Sequence, residues 1–116
     1  MNETELKTEA AVGDIDVDEA ARESVLREAL RVVIDPEIGI DVVTLGLIRG
    51  IDFHADFTEI TMILTTPFCP YGGAMVQQVK MAGQDTVGGE VKVTMGEESW
   101  SPDMMEGGDW AEWGLI

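Results

Sequence analysis

The chain has 116 residues, of which 23 are acidic and 7 are basic, so its formal net charge is −16 at pH 7. This length predicts one domain with a single hydrophobic core. A surface this acidic repels a phosphate backbone, which argues against direct nucleic-acid binding. No apolar run approaches the roughly 18 residues that a membrane-spanning helix needs, so no membrane insertion is expected.

The acidic charge has two explanations. One is adaptation to high intracellular salt, where screening removes the self-repulsion of the surface. The other is a basic partner protein. The acids are spread along the whole chain and lysine is scarce, which favours a halophilic origin. This interpretation predicts that cooperative folding requires molar salt.

The N-terminal region is acidic and poor in large apolar side chains. Residues 1–17 are therefore expected to form a disordered tail ahead of a domain that spans residues 18–116. The tail lacks the basic and apolar regions of a signal peptide. The chain has one cysteine, Cys69, and therefore no internal disulfide framework. These features favour a cytoplasmic location.

The first predicted helix runs from about Glu19 to Ile34, with Asp18 as its N-cap. The helix is indicated by an apolar stripe at helical spacing. The stripe consists of Val25, Leu26, Ala29, Leu30 and Val33. Asp35-Pro36 ends the helix, because the residue before a proline disfavours helical geometry.

Two strands are expected next. The first lies around Leu47 to Phe53, although Arg49 interrupts its alternation of apolar and polar residues. A hairpin at His54 leads into the second strand, about Thr58 to Thr65. His54 is expected to be exposed in this hairpin rather than catalytic.

A second helix and a third strand complete the pattern. The helix is indicated by Met75, Val76, Val79 and Ala82 and ends before Gly88, and a strand follows at Val91 to Met95. The order α-β-β-α-β predicts a small two-layer α/β (α+β) domain. Its second strand, second helix and third strand form a right-handed crossover that places both helices on one face of a three-stranded sheet.

Cys69 lies in the loop Thr65–Pro70 between the second strand and the second helix. Pro70 suits the first turn of a helix, where its missing N–H needs no partner. Free N–H groups and the helix dipole would then stabilise a thiolate at Cys69. Thr65 and Thr66 can point hydroxyls into the same crevice. The alternative is that Cys69 is a small buried hydrophobic residue, the commoner role of a free cysteine.

The turn Asp35-Pro36-Glu37 is a second candidate. Its acids can cap backbone groups or face solvent. Alternatively, Asp35 or Glu37 reaches the crevice of Cys69 as a metal ligand or proton acceptor. Spacing alone does not decide between these two roles. One cysteine and the remote His54 make no recognisable structural zinc set.

Three segments occur in a characteristic order: Asp35–Gly39, Asp41–Ile48 and Thr65–Pro70. Together they resemble the metal-sulfur cluster assembly domain family, long labelled a domain of unknown function, with its SufT-like and PaaD-like members. The segments around Trp100 and Trp113 are similar to the C-terminal signature of that family. The resemblance runs from about residue 24 to the C-terminus. It implies a compact α/β domain and an accessory, non-enzymatic role in assembling iron–sulfur clusters or transferring them to apoproteins.

The resemblance places the family's cysteine on Cys69, its acidic turn on Asp35 and Glu37, and its strand-end threonines on Thr65 and Thr66. It implies that Cys69 gives a thiolate to iron or to a transient iron–sulfur cluster, while Glu37 or Asp35 supplies an oxygen ligand or accepts the thiol proton. One cysteine cannot supply the usual four thiolates. A cluster must therefore be shared across a homodimer, completed by a partner or an exogenous thiol, or held transiently. The implied partners are scaffold, carrier or target apoproteins.

One segment departs from the family pattern. Tyr71-Gly72-Gly73 replaces the more apolar residues usual after the Cys-Pro step, which is expected to widen the pocket or loosen the start of the helix. Three alternatives stay open at this point. They are a PaaD-like accessory protein of a phenylacetate ring-oxygenating complex, a cysteine-dependent enzyme, and an interaction module in which Cys69 is only structural.

Overall fold

The first helix of the computed structural model, which describes residues 11–66 and 69–108, is longer than predicted. Helix α1 spans Ala11–Ala29 and continues into a single 3-10 turn, Leu30–Val32. Asp18 therefore lies inside the helix, and its predicted role as N-cap is wrong. The apolar stripe marks only the turns that are buried, so it underestimates a helix that extends beyond them. Residues 1–10 of the predicted tail lie outside the described residues.

Three strands form one mixed sheet in the order β1-β2-β3. Strand β1 spans Ile48–Phe53, β2 spans Thr58–Met62 and β3 spans Val91–Met95. Strands β1 and β2 are antiparallel, whereas β2 and β3 are parallel. Strand β2 ends before the predicted Thr65, because its partner β3 also ends at this level. The next residue, Gly96, donates its N–H to the carbonyl of Met62 at 2.8 Å.

A β-bulge explains the interruption at Arg49. Ile48 pairs with Met62 and Gly50 pairs with Thr61, so Arg49 is an extra residue in β1. The bulge shifts the alternation by one position. Arg49 is therefore exposed, and the strand still has buried residues both before and after the bulge.

Helix α2 spans Gly72–Val87 and connects the parallel strands β2 and β3. It ends where predicted, at Gly88, whose φ of 72° is left-handed and whose N–H bonds the carbonyl of Gln84. The helices pack against each other, with α1 also on β1 and α2 also on β3. The predicted fold class and the order α-β-β-α-β are confirmed.

The core lies between the sheet and the two helices. Its most deeply buried side chains are Leu26, Leu30, Val33, Val42, Leu45, Leu47, Ile60, Met62, Ile63, Met75, Val79 and Val91. Val25, which the sequence assigned to the same stripe, is 61% exposed, so the buried line on α1 is narrower than predicted. No helix among the described residues is long and apolar enough to cross a bilayer.

Candidate functional site

The acidic turn after α1 is organised by the buried carboxylate of Asp35, which is 0% exposed. Its Oδ1 accepts hydrogen bonds from the N–H of Glu37 at 2.8 Å and of Ile38 at 3.3 Å. The carbonyl of Asp35 accepts the N–H of Gly39, which lies in the left-handed region at a φ of 82°. Asp35 therefore caps the backbone of its own turn, as the simpler interpretation of the sequence expected.

The second oxygen of Asp35 reaches a different part of the chain. The hydroxyl of Thr65 donates to Oδ2 of Asp35 at 3.4 Å. The carbonyl of Thr66, the next residue, accepts the N–H of Cys69 at 3.3 Å. These contacts connect Asp35, Thr65, Thr66 and Cys69 at the carboxyl end of β2, and we call these four residues the strand-end site.

Cys69 is a half-buried free thiol that packs against the core. The N-cap of α2 is Tyr71, so Pro70 precedes the cap, and the prediction that it occupies the first helical turn is wrong. The first helical N–H, that of Gly72, already bonds the carbonyl of Cys69 at 3.1 Å. Cys69 thus lies just before the helix, as predicted. The N–H of Gly72 is bonded by the backbone carbonyl of Cys69 and not by its thiol.

Gly72 and Gly73 have different roles at the start of α2. Gly72 is buried, and a Cβ there would lie 2.7 Å from Cδ1 of Leu64. At Gly73 a Cβ would meet nothing within 4 Å. The missing side chain at Gly72 lets the start of the helix pack closely against Leu64. A wider pocket or a looser helix start at this segment stays a prediction.

Glu37 is exposed, and its carboxylate has no partner among the described residues. The same residues contain no group of three or more His, Cys, Asp or Glu side chains placed to hold a metal ion. The pairing of Cys69 with Glu37 as metal ligands therefore stays a prediction. His54 is 46% exposed, stacks on Phe57 at a centroid distance of 4.5 Å, and is not part of the strand-end site.

A second polar network, which the sequence did not predict, lies in the turn after Asp41. The carboxylate of Asp41 accepts the hydroxyl of Thr44 at 2.6 Å and the N–H groups of Val43 and Thr44. Arg31 donates to the hydroxyl of Thr44 at 3.0 Å and forms a bidentate pair with Glu106 at 3.0 and 2.7 Å. Hydrogen bonds from Glu106 and then Glu28 raise the pKa of Arg31. The feature that could have predicted this turn is Asp41 itself, since an aspartate side chain can accept hydrogen bonds from the backbone N–H groups two and three residues ahead.

The C-terminal segment Trp100–Glu106 docks on this turn. Nε1 of Trp100 donates to the carbonyl of Leu45 at 2.7 Å, and the N–H of Glu106 bonds the carbonyl of Thr44 at 2.8 Å. Gly46 permits the close approach, since a Cβ there would overlap the carbonyl oxygen of Met104. Trp113, in the second part of the predicted C-terminal signature, lies outside the described residues.

A groove of about 630 Å³ opens beside the strand-end site. We call it the strand-end groove. Its three sides are residues 63–66 after β2, Met95 and Gly96 at the end of β3, and residues 97–100 leading into the docked segment. Thr65 and Thr66 belong both to the groove and to the strand-end site.

Residues 23–95 match the family model described as iron-sulfur cluster assembly protein. The chain belongs to this family. The Fe-S protein maturation auxiliary factor YitW of Bacillus subtilis is 41% identical over 87 residues, covering 74% of this chain and 82% of that protein. The auxiliary factor SufT of Staphylococcus aureus is 38% identical over 80 residues, covering 63% and 86%. A crystal structure of a domain of unknown function from Bacillus anthracis matches with a TM-score of 0.73 and 32% identity, over 84% of this chain and 95% of that one.

The match confirms the family resemblance and locates the site within it. All four residues of the strand-end site lie inside the matched range of the iron-sulfur cluster assembly protein family. The docked segment Trp100–Glu106 and part of the groove wall lie beyond it. The site therefore belongs to the shared domain, whereas residues outside that range contribute to the groove.

Proposed function

We propose that this protein is a cytoplasmic accessory factor that helps assemble iron–sulfur clusters or transfers them to apoproteins, without turnover chemistry of its own. The observation that carries the proposal is the strand-end site, which connects Asp35 to the loop of Cys69 inside a domain of the iron–sulfur cluster assembly family. Two similar proteins are named Fe-S protein maturation auxiliary factors. In this role the iron or cluster is the cargo.

The two acidic residues of the turn have different roles in this proposal. Both carboxylate oxygens of Asp35 are buried and accept hydrogen bonds, so Asp35 positions the turn. Glu37 is exposed on the same turn. A solvent-facing carboxylate is the better candidate for an oxygen ligand or for the acceptor of the thiol proton. The exposure of Glu37 and the burial of Asp35 therefore support Glu37 as the second group that acts with Cys69.

The single thiol supports transfer rather than storage. Iron–sulfur clusters are usually held by four thiolates, and the described residues offer one. A cluster bound through Cys69 needs further ligands from a second copy, a scaffold or carrier protein, or a target apoprotein. Cargo that is completed by a partner's ligands can leave with that partner.

The test is anaerobic transfer of a cluster from a reconstituted scaffold protein to an apo-ferredoxin, monitored by visible absorption. We expect the wild-type chain to accelerate transfer, Cys69→Ser to abolish the acceleration, and Glu37→Gln to reduce it several-fold. Glu90→Gln, at another exposed glutamate without a side-chain partner among the described residues, is the matched control and should behave as wild type. Equal acceleration by folded Cys69→Ser would refute the proposed role of the thiol and leave an interaction module.

A further inference from the structure

We infer that the strand-end groove binds an extended segment of a partner protein in which a lysine or arginine adjoins a large apolar residue. The inference rests on the proposed function, because it takes the partner to be a protein that donates or accepts the cluster. The partner binds at the groove, which is distinct from the side chains that act as ligands of the iron or cluster.

The groove has large apolar side chains among its polar lining residues. Ile63, Leu64, Met95 and Trp100 supply the large side chains. Ile63 is buried, whereas Met95 is 45% exposed at the end of β3. Methionine adapts to irregular partners and is common on surfaces that bind varied segments. The groove thus offers an apolar contact that the protein's own residues cover only in part.

The walls of the groove are held in place by the fold. Trp100 is anchored through its Nε1 hydrogen bond to the carbonyl of Leu45. A Cβ at Gly96 would lie 3.1 Å from Cγ2 of Ile63, so the absence of a side chain lets this wall lie close to the floor. A preformed groove reduces the entropy that is lost on binding.

The charge of the rim selects the partner. Glu97 and Glu98 line the groove, and none of the described residues that line it is basic. Glu98 pairs with Arg49 at 2.9 Å, whereas the carboxylate of Glu97 has no partner among the described residues. An anionic ligand is disfavoured here, and a cationic side chain gains both local pairing and long-range attraction to a chain of net charge −16.

The sheet edge favours an extended backbone. Strand β3 is the last strand of the described sheet, so its outer edge offers N–H and C=O groups for pairing with another strand. Met95, the last residue of β3, lines the groove, and so does Gly96, the residue that follows the strand. A segment that pairs with β3 would therefore run into the groove.

The strand-end groove lies next to the proposed cargo site. Thr65 and Thr66 line the groove, and the carbonyl of Thr66 holds the N–H of Cys69. A partner segment bound there lies beside the loop that carries the thiol. This arrangement would raise the local concentration of the partner's ligands at the point of transfer.

The test uses a phage-displayed library of random octapeptides selected on the purified full chain, followed by fluorescence anisotropy with the enriched peptides. We expect enriched sequences to combine Lys or Arg with an adjacent Leu, Ile, Val or Phe. Met95→Ser and Glu97→Lys should each weaken binding at least ten-fold. The matched controls are Met81→Ser, at a methionine that is 54% exposed on α2, and Glu90→Lys. Both controls should bind as wild type.

Three outcomes would overturn the inference: no enriched peptide, enrichment without basic residues, or equal weakening by the control variants. A second measurement does not depend on variants that could misfold. In the wild-type chain, the amide NMR signals of residues 93–100 should shift on titration with an enriched peptide. Peptide binding requires no cluster. Its failure is therefore distinguishable from failure of the proposed function, which is measured by transfer with Cys69→Ser.

Discussion

The hydroxyl of Thr65 donates a hydrogen bond to Oδ2 of Asp35 over 3.4 Å, across 30 positions of sequence. This contact joins the turn that ends α1 to the residues that follow β2. Because Asp35 also holds the N–H groups of its own turn, one buried carboxylate braces both parts of the candidate site.

Replacing Asp35 should destabilise the protein according to how many acceptors are lost. Asp35→Ala removes both carboxylate acceptors and leaves the part-buried donors of Glu37 and Thr65 without this partner, which costs about 1–3 kcal/mol of unfolding free energy. Asp35→Asn keeps one carbonyl oxygen for the turn and should cost less. Urea denaturation of the two variants measures the difference. An unchanged urea midpoint for Asp35→Ala would contradict the bracing role.

Gly46→Ala should be much more damaging than Gly39→Ala. Both glycines have left-handed φ values, 80° and 82°, so both substitutions incur a backbone cost of about 1–2 kcal/mol. Only at Gly46 would the new Cβ overlap a backbone atom, the carbonyl oxygen of Met104. We expect Gly46→Ala to release the docked segment as well, which the NMR signal of the Trp100 indole N–H reports. Equal losses of stability in the two variants would argue against this docking.

The ion pair of Arg31 and Glu106 should contribute modestly and depend on salt. Both side chains are partly exposed, at 29% and 51%, so solvent screens the pair. A double-mutant cycle with Arg31→Met and Glu106→Gln should give a coupling energy of about 0.5–1 kcal/mol at low salt. The coupling should shrink in molar KCl. A coupling that is unchanged by salt would point to packing rather than charge.

Stability should nevertheless rise with salt overall. Screening weakens the few ion pairs, but it also weakens repulsion among 23 acidic groups balanced by only 7 basic ones. Repulsion is the larger effect at this charge. Urea unfolding of the full chain at increasing KCl should therefore show an increasing unfolding free energy. Full, salt-independent cooperative folding at low ionic strength would count against halophilic adaptation.

Glu59 should show a pH dependence set by Thr94. The hydroxyl of Thr94 donates to the carboxylate at 2.7 Å and, with a smaller effect of His54, lowers the pKa of Glu59 from its ordinary value. A lowered folded-state pKa stabilises the fold above the unfolded-state pKa, and this stabilisation is lost as the pH falls through the folded-state value. Thr94→Val should raise the pKa of Glu59 toward its ordinary value, as measured by carboxyl NMR titration.

Thr86→Val is the control for that titration, because the hydroxyl of Thr86 bonds the carbonyl of Ala82 instead. Its Glu59 titration should match wild type. A Thr94→Val midpoint at or below the wild-type value would show that another contact lowers the pKa.

The period of the apolar residues was sufficient to predict both helices, all three strands and their order. Periodicity indicates which face of a segment is buried, and this pattern can be read from the segment's own residues. It did not predict the start of α1, because the helix extends beyond its buried turns. It also missed the bulge at Arg49, which depends on how β1 pairs with β2.

The candidate site divides in the same way. The position of Cys69 in a strand-to-helix loop and that of Asp35 in a turn after a helix could be predicted from the sequence, since both follow from local order along the chain. The hydrogen bond between Asp35 and Thr65, the ion pair of Arg31 with Glu106 and the groove beside the loop could not be predicted in this way, because they depend on the packing of the whole domain. The two contacts join residues 30 and 75 positions apart, and the groove brings residues 63–66 next to residues 95–100. The distances between these groups are set by how the helices pack on the sheet.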